Sequence, residues 1–163
     1  MNPKLRSMTS LFFQREDGLL CLYRIGSRVA NHLYVGACGG HFEKEELDDP
    51  ETCALREMRE ELGLMPEDIE GLKLRYVTLR YYKGEIRQNY YFFARLKTER
   101  ELSSTEGNLH FFTWEELKTV PMPVSARHMM DHYLKVGRFT DKRYAGTTEP
   151  EGTRFVQLES FEK

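Results

Sequence analysis

Residues 49–64, DPETCALREMREELGL, specify a helix at both of its ends, and the rest of the chain has to be arranged around it. Asp49 offers a side-chain oxygen to the free N–H groups of a first turn, and Pro50 brings a fixed φ to the first helical position. Glu51 suits the positive end of the helix dipole. Gly63 can take the left-handed conformation that stops a helix, and Leu64 can then fold back on Met58. At 100° per residue, Leu55, Met58 and Leu62 share a stripe that should meet a core. Glu57, Glu60 and Glu61 recur at spacings of three and four on a different face, roughly opposite that stripe.

The flanking pattern supplies a sheet for this helix to pack on. Strands are expected over 8–14 and 19–25, joined by a turn at 16–18, and over 33–40, where an apolar run ends in glycines. Two long β-rich runs, 71–82 and 85–96, meet at Lys83-Gly84 and read as a hairpin. A loop over 101–108 leads to a strand at 109–114, a short helix at 115–120 and a second full helix at 123–137, with Leu134 and the two methionines on its core side. A last strand is expected at 153–161, after a Gly- and Thr-rich turn. No repeat or linker divides the 163 residues, so one domain is expected over 1–163. Its core covers about 8–137, and 138–163 form a C-terminal extension. The class is α/β or α+β, with helices packed on a sheet.

Composition narrows the function. A net charge of −2 gives no footprint for duplex nucleic acid and no polybasic membrane anchor. The longest apolar run near the start, LFF, is too short for a signal peptide or a span. Three cysteines without a CxxC pair argue against a disulfide framework or a zinc site and fit a reducing cytoplasm. Cys21 and Cys53 read as small buried hydrophobes.

On its own, the acidic face reads first as a solvated surface, with Arg56 and Glu60 in an exposed ion pair worth about 0.3–0.5 kcal/mol. Two features point elsewhere. Glu57 repels both Glu60 and Glu61, and Gly39-Gly40 before the helix lets backbone approach something closely. A hard divalent cation such as Mg²⁺, which takes oxygen ligands and bridges to phosphates, answers both.

The stretch from Gly40 to Leu64 resembles the Nudix box of the MutT-like Nudix pyrophosphohydrolases. Gly40 opens it, Glu46 follows after five residues, and Arg56-Glu57-Met58-Arg59-Glu60-Glu61-Leu62-Gly63-Leu64 fits the second half at every position. Nine residues separate Glu46 from Arg56 where the family has seven. The extra pair falls in Leu47-Asp48-Asp49, so it should lengthen a loop and leave the helix, starting at Asp49 or Pro50, in register.

The resemblance implies a Nudix fold, a mixed β-sheet sandwiched between helices. It also implies Mg²⁺- or Mn²⁺-dependent attack of water on a nucleoside diphosphate linked to another moiety. By position, Glu60 and Glu61 would be the main metal ligands and Glu57 a ligand or the general base. Arg56 would orient Glu57, and the Gly39 carbonyl would add an oxygen. Glu106, in a loop Glu-Gly pair, is a further candidate for the metal shell or base, beside its plainer reading as a turn residue. The foremost substrate is a nucleoside triphosphate, oxidised or not. ADP-ribose or another nucleotide sugar, and an inactive nucleotide-binding regulatory domain, are the alternatives. A homodimer is a further expectation, with the 153–161 tail as its pairing edge. Arg75, Arg80 and Arg87 interleave with aromatics over 75–93, where Arg could pair a phosphate, although a half-buried sheet alone would produce that pattern. Arg80, Arg87, Arg28 and His32 are the substrate-binding candidates.

Overall fold

Lys83 and Gly84 both have positive φ, 49° and 77°, as a two-residue hairpin turn requires, and they join strands of 14 and 12 residues. The computed structural model describes residues 2–26 and 31–159. The strands are β1 (Lys4–Arg15), β2 (Gly18–Arg24), β3 (Leu33–Gly36), β4 (Cys38–His41), β5 (Ile69–Tyr82), β6 (Glu85–Leu96), β7 (Asn108–Thr113), β8 (Arg143–Glu149) and β9 (Gly152–Leu158). The helices are α1 (Pro50–Leu62) and α2 (Val124–Lys135).

One mixed sheet runs β3-β2-β1-β6-β5-β8-β9, with β4 added to β1 and β7 to β2. β1 lies parallel to β6 from Lys4 to Gln14, and β5 lies parallel to β8. Alternation along β1 divides the core in two. Phe12 packs with Tyr76, Phe93 and the α2 residues Met129, Met130 and Tyr133. Leu11 and Phe13 point the other way, to Phe92 and the α1 residues Ala54, Met58 and Leu62. The helices therefore cover opposite faces of the sheet, as expected of a sandwich.

Three elements differ from the sequence reading. The expected strand over 33–40 is two, because the chain leaves β2 after Gly36 and pairs with β1 from Cys38 onward. The short helix at 115–120 is one 3₁₀ turn, Glu116–Lys118. Part of the supposed Gly- and Thr-rich turn is β8. Its Gly146 lets β9 come so close that a Cβ there would meet the Arg154 carbonyl at 2.8 Å. The tail strand forms as β9, at the sheet edge. Its expected last residues, 160 and 161, lie outside the described residues.

Helix α1 forms as its caps dictate. The Asp49 side chain accepts from the Thr52 N–H at 3.1 Å, and Gly63, at φ 66°, stops it. The extra residues bulge outward, with Leu47 63% exposed. Cys21, Cys38 and Cys53 are all buried and free. No helix among the described residues is long and apolar enough to cross a membrane.

Candidate active site

Arg56 organises the acidic end of the site. Its guanidinium grips both oxygens of Glu46, at 2.8 and 2.9 Å, and donates to the His41 carbonyl at 3.1 Å. The same group donates to Glu57 at 2.9 Å and Glu60 at 3.0 Å. Glu46 is only 4% exposed, and Arg56 holds its carboxyl below the usual range. A buried carboxylate needs such a bidentate partner. Box positions ten residues apart are thus locked together, and the bulge between them leaves this contact intact.

Glu57 is set against bare backbone. A Cβ at Gly40 would lie 2.5 Å from one Glu57 carboxylate oxygen, so a side chain there would displace that carboxylate. Gly39 needs its missing side chain too, since a Cβ would strike the Thr9 carbonyl. The Gly39 N–H donates to Glu61 at 3.3 Å. Glu61 is 9% exposed. Burial first, then the hydrogen bond and charge of Glu57, push its carboxyl up to about 8.

The acidic residues therefore do not share a solvent face opposite the core stripe. Glu57 and Glu61 turn inward beside that stripe toward β4, because helix positions 53, 54, 57, 58, 61 and 62 make one broad contact surface. Leu55 is only partly buried. Glu60 alone points outward, its side chain 55% exposed and paired with Arg56. Among the described residues, no three His, Cys, Asp or Glu side chains are gathered as a ready-made metal site. Glu57 and Glu61 are together; Glu60 is held aside by Arg56.

A cavity of about 390 Å³ opens from this end. Gly39, Gly40 and Glu61 line one part of it. Arg80 and Arg87, two of the substrate candidates, line another, together with Arg6 and Arg24, which the sequence reading missed. Glu106 lies where its charge helps raise Glu61, but its carboxylate is paired with Arg24 at 3.3 Å. Arg75 points away from the cavity and is buried, donating to the carbonyls of Gly137 and Lys142. His32 bonds the Tyr23 hydroxyl at 3.0 Å and is not among the cavity residues. Arg28 lies outside the described residues.

A family model for the NUDIX domain matches residues 4–133. This chain belongs to the Nudix family. The matched span holds both helices of the sandwich almost entire, the whole box and every arginine that lines the cavity. The MutT protein of Bacillus halodurans is 22% identical, with a TM-score of 0.64 over 94% of this chain and 95% of its own. The MutT Nudix hydrolase of Burkholderia pseudomallei is 19% identical, with a TM-score of 0.64 over 78% and 97%. The dihydroneopterin triphosphate pyrophosphohydrolase of E. coli is 15% identical, with a TM-score of 0.61 over 83% and 98%. These likenesses show the fold. No curated protein matches the chain. Nudix membership indicates a pyrophosphohydrolase, of a kind that generally uses a divalent metal and small nucleotide substrates.

Proposed function

We propose that this chain is a Mg²⁺- or Mn²⁺-dependent hydrolase of the phosphoanhydride bond in a nucleoside diphosphate linked to another moiety. A nucleoside triphosphate, oxidised or not, is its foremost substrate, in a reducing cytoplasm. One observation carries the reading. Two inward carboxylates, Glu57 and Glu61, are pressed together against bare glycine backbone, and Glu61 lines a cavity that also holds four arginines.

The donor set fits a hard divalent cation, since Glu57, Glu61 and the Gly39 carbonyl offer oxygens, while burial keeps the neighbouring Cys38 thiol protonated and His41 is shared with Arg6. Glu57, Glu61 and the Gly39 carbonyl would hold it, and Glu60 would join by leaving its exposed pair with Arg56. When bound, such a cation neutralises charge on the phosphates and makes water a better nucleophile. The remaining work falls to the chain. Arg56 fixes the rotamer of Glu57, which takes the proton of the attacking water or serves as a ligand. Where Glu57 is a ligand, Glu106 takes the proton after parting from Arg24. Arg24, Arg80 and Arg87 bind phosphate oxygens.

The test is a hydrolysis screen over nucleoside triphosphates, ADP-ribose, dinucleoside polyphosphates and NADH, with products identified to locate the broken bond. Binding of Mn²⁺, followed by electron paramagnetic resonance in the parent and in Glu61→Gln, runs beside it. The expected result is turnover abolished by excess chelator and Mn²⁺ affinity lowered by the substitution. Undiminished turnover without metal would sink the mechanism. Exclusive turnover of ADP-ribose would replace the substrate.

A further inference from the structure

Arg6, Arg87 and Arg80 stand side by side on three adjacent strands. Arg6 is the register partner of Arg87 across β1–β6, and Arg87 is the register partner of Arg80 across β6–β5. Register partners point to one face, and all three residues line the cavity. Neighbouring strands are roughly 4.8 Å apart, so this is a tight row of like charges, which a sheet normally avoids. Glu85 compensates only part of it, reaching Arg6 at 3.5 Å and Arg87 at 3.3 Å. Among the described residues no carboxylate pairs with Arg80.

Arg6 also meets His41 Nε2 at 3.0 Å, so the donors left free belong to Arg80 and to the remaining edge of Arg87. The Arg80 guanidinium lies 4.5 Å from the Tyr82 ring centroid, and that of Arg87 lies 5.1 Å from the same ring. Stacking fixes a planar guanidinium by its face and leaves its N–H edges for an anion. Ser125, near the start of α2, lines the same cavity, and that helix has no side-chain cap, which adds positive potential. A solubilising row of arginines would sit on an open face. This one lines a cavity.

We infer that Arg6, Arg87 and Arg80 form a second phosphate subsite, so that the preferred substrate carries a phosphoryl group beyond those at the scissile bond. This rests on the hydrolase reading above and deepens it. Gly40 pairs with Thr9, and Arg6 lies three residues farther along β1, roughly 10 Å at about 3.3 Å per residue. The Arg6 guanidinium reaches back to His41 Nε2 at 3.0 Å, but Arg87 and Arg80 stand one and two strands farther, at roughly 4.8 Å per strand. A diphosphate held at the carboxylate end by one P–O–P linkage therefore falls short of Arg80. The extra phosphoryl group comes either from a longer phosphate chain or from a phosphate on the sugar.

Equilibrium binding separates these sources without hydrolysis. Calorimetry with Mg²⁺ present compares 5′-AMP with adenosine 2′,5′- and 3′,5′-bisphosphate. It also compares methylene-bridged analogues of ADP and ATP, whose bridges resist cleavage. In one of the two comparisons the member with the extra phosphate should bind about tenfold tighter, as charge-assisted hydrogen bonds to a dianion predict. The comparison that shows it names the source. Arg80→Gln should bring that ratio close to one, whereas Arg80→Lys, which keeps the charge without the fork, should retain part of it. Both variants should fold, since each leaves Arg6 and Arg87 with Glu85. Ratios near one throughout in the parent, or a preference untouched in Arg80→Gln, would overturn the subsite. The hydrolase reading fails separately, if the screen finds no metal-dependent turnover of any substrate.

Discussion

At one end of the cavity four carboxylates, Glu43, Glu46, Glu57 and Glu60, share a single arginine, Arg56; at the other, two arginines share a single carboxylate, Glu85, and a third, Arg80, has none among the described residues. Each end carries an excess of one sign, and the inner members, Glu61 and Arg87, sit where solvent screens them poorly. The two ends complement a ligand that is itself divided, with cations at one end and phosphate oxygens at the other. The acidic end is assembled within nineteen residues of chain, Glu43 to Glu61, mostly on one helix. The basic end is assembled from residues 6, 80 and 87, which only strand pairing brings together.

The largest effect should follow from neutralising the acidic end. Glu61→Gln should lower turnover on the order of a hundredfold or more, as loss of an oriented metal-site group does. Its apo stability should be about equal below pH 8, where Glu61 already holds a proton, and higher above it, where a repelling pair is relieved. Glu60→Gln should cost less, since Glu60 is exposed and held aside by Arg56. Turnover and a thermal melt on each variant check both statements. A Glu60 effect larger than that of Glu61 would reverse the assignment of the inner ligand.

Next in size is Gly40→Ala. A Cβ there meets the Glu57 carboxyl carbon at 2.7 Å as well as its oxygens, so the carboxylate has to move. A displacement of this kind, near 1 Å, costs about a hundredfold in rate when the group acts on the substrate. Steady-state kinetics with an unchanged circular dichroism spectrum is the expected result. Full activity would mean that the position of Glu57 is not critical.

These two variants also mark what was legible in the sequence. The α1 caps, the box spacing and the hairpin are local patterns, and all form where the residues place them. The inward turn of Glu57 and Glu61 was not legible from a stripe of Leu55, Met58 and Leu62, because β4 widens the buried face of the helix. Arg80 and Arg87 were legible as candidates within the hairpin, but Arg6, which completes the row, was not, because its place depends on register between strands more than seventy residues apart. Arg6 also lies before the point where the apolar pattern of β1 begins. β8 was hidden by its glycine and threonines, whose strand role depends on the approach of β9.

Arg56→Met tests the shared arginine by stability. It would leave Glu46 buried without its partner, at a cost of about 3 kcal/mol or more. Urea denaturation reads this directly. Double substitution with Glu46→Gln should recover much of the loss, since no uncompensated charge then remains. No recovery would show that Arg56 acts through packing.

A smaller effect is expected from pH. The Glu61 carboxyl titrates near 8 in the folded protein against an ordinary value of 4.5. Between those values the native state holds a proton that the unfolded chain has lost. Metal-free stability from this group is therefore full below about 4.5 and falls as pH rises through about 8. Melting curves at pH 6 and pH 8.5 should show the decline, and added Mg²⁺ should raise the melting temperature more at pH 8.5. An equal shift at both would mean that the cation does not replace the Glu61 proton.

The smallest change should come from deleting Leu47 and Asp48, which restores the usual box spacing. Leu47 is exposed, so its loss uncovers no core. Asp49 keeps the cap through its own side chain, and Pro50 still opens the helix. Closure entropy changes slowly with loop length, about 0.6 kcal/mol per doubling. Pushing α1 out of register would instead withdraw Met58 and Leu62, each worth about 2–5 kcal/mol by analogy with large-to-small core changes. The loop is therefore the cheaper place to absorb the deletion, and Arg56 should still reach Glu46. One contact argues for some cost, since the Asp49 N–H donates to the Glu46 carbonyl at 2.8 Å across the bulge. The expected result is metal-dependent turnover within a few-fold of the parent and a loss of stability of about 1 kcal/mol, the worth of that hydrogen bond. A loss as large as that of Arg56→Met would show that the bulge itself holds Glu46 in place, and the acidic end would then depend on this insertion.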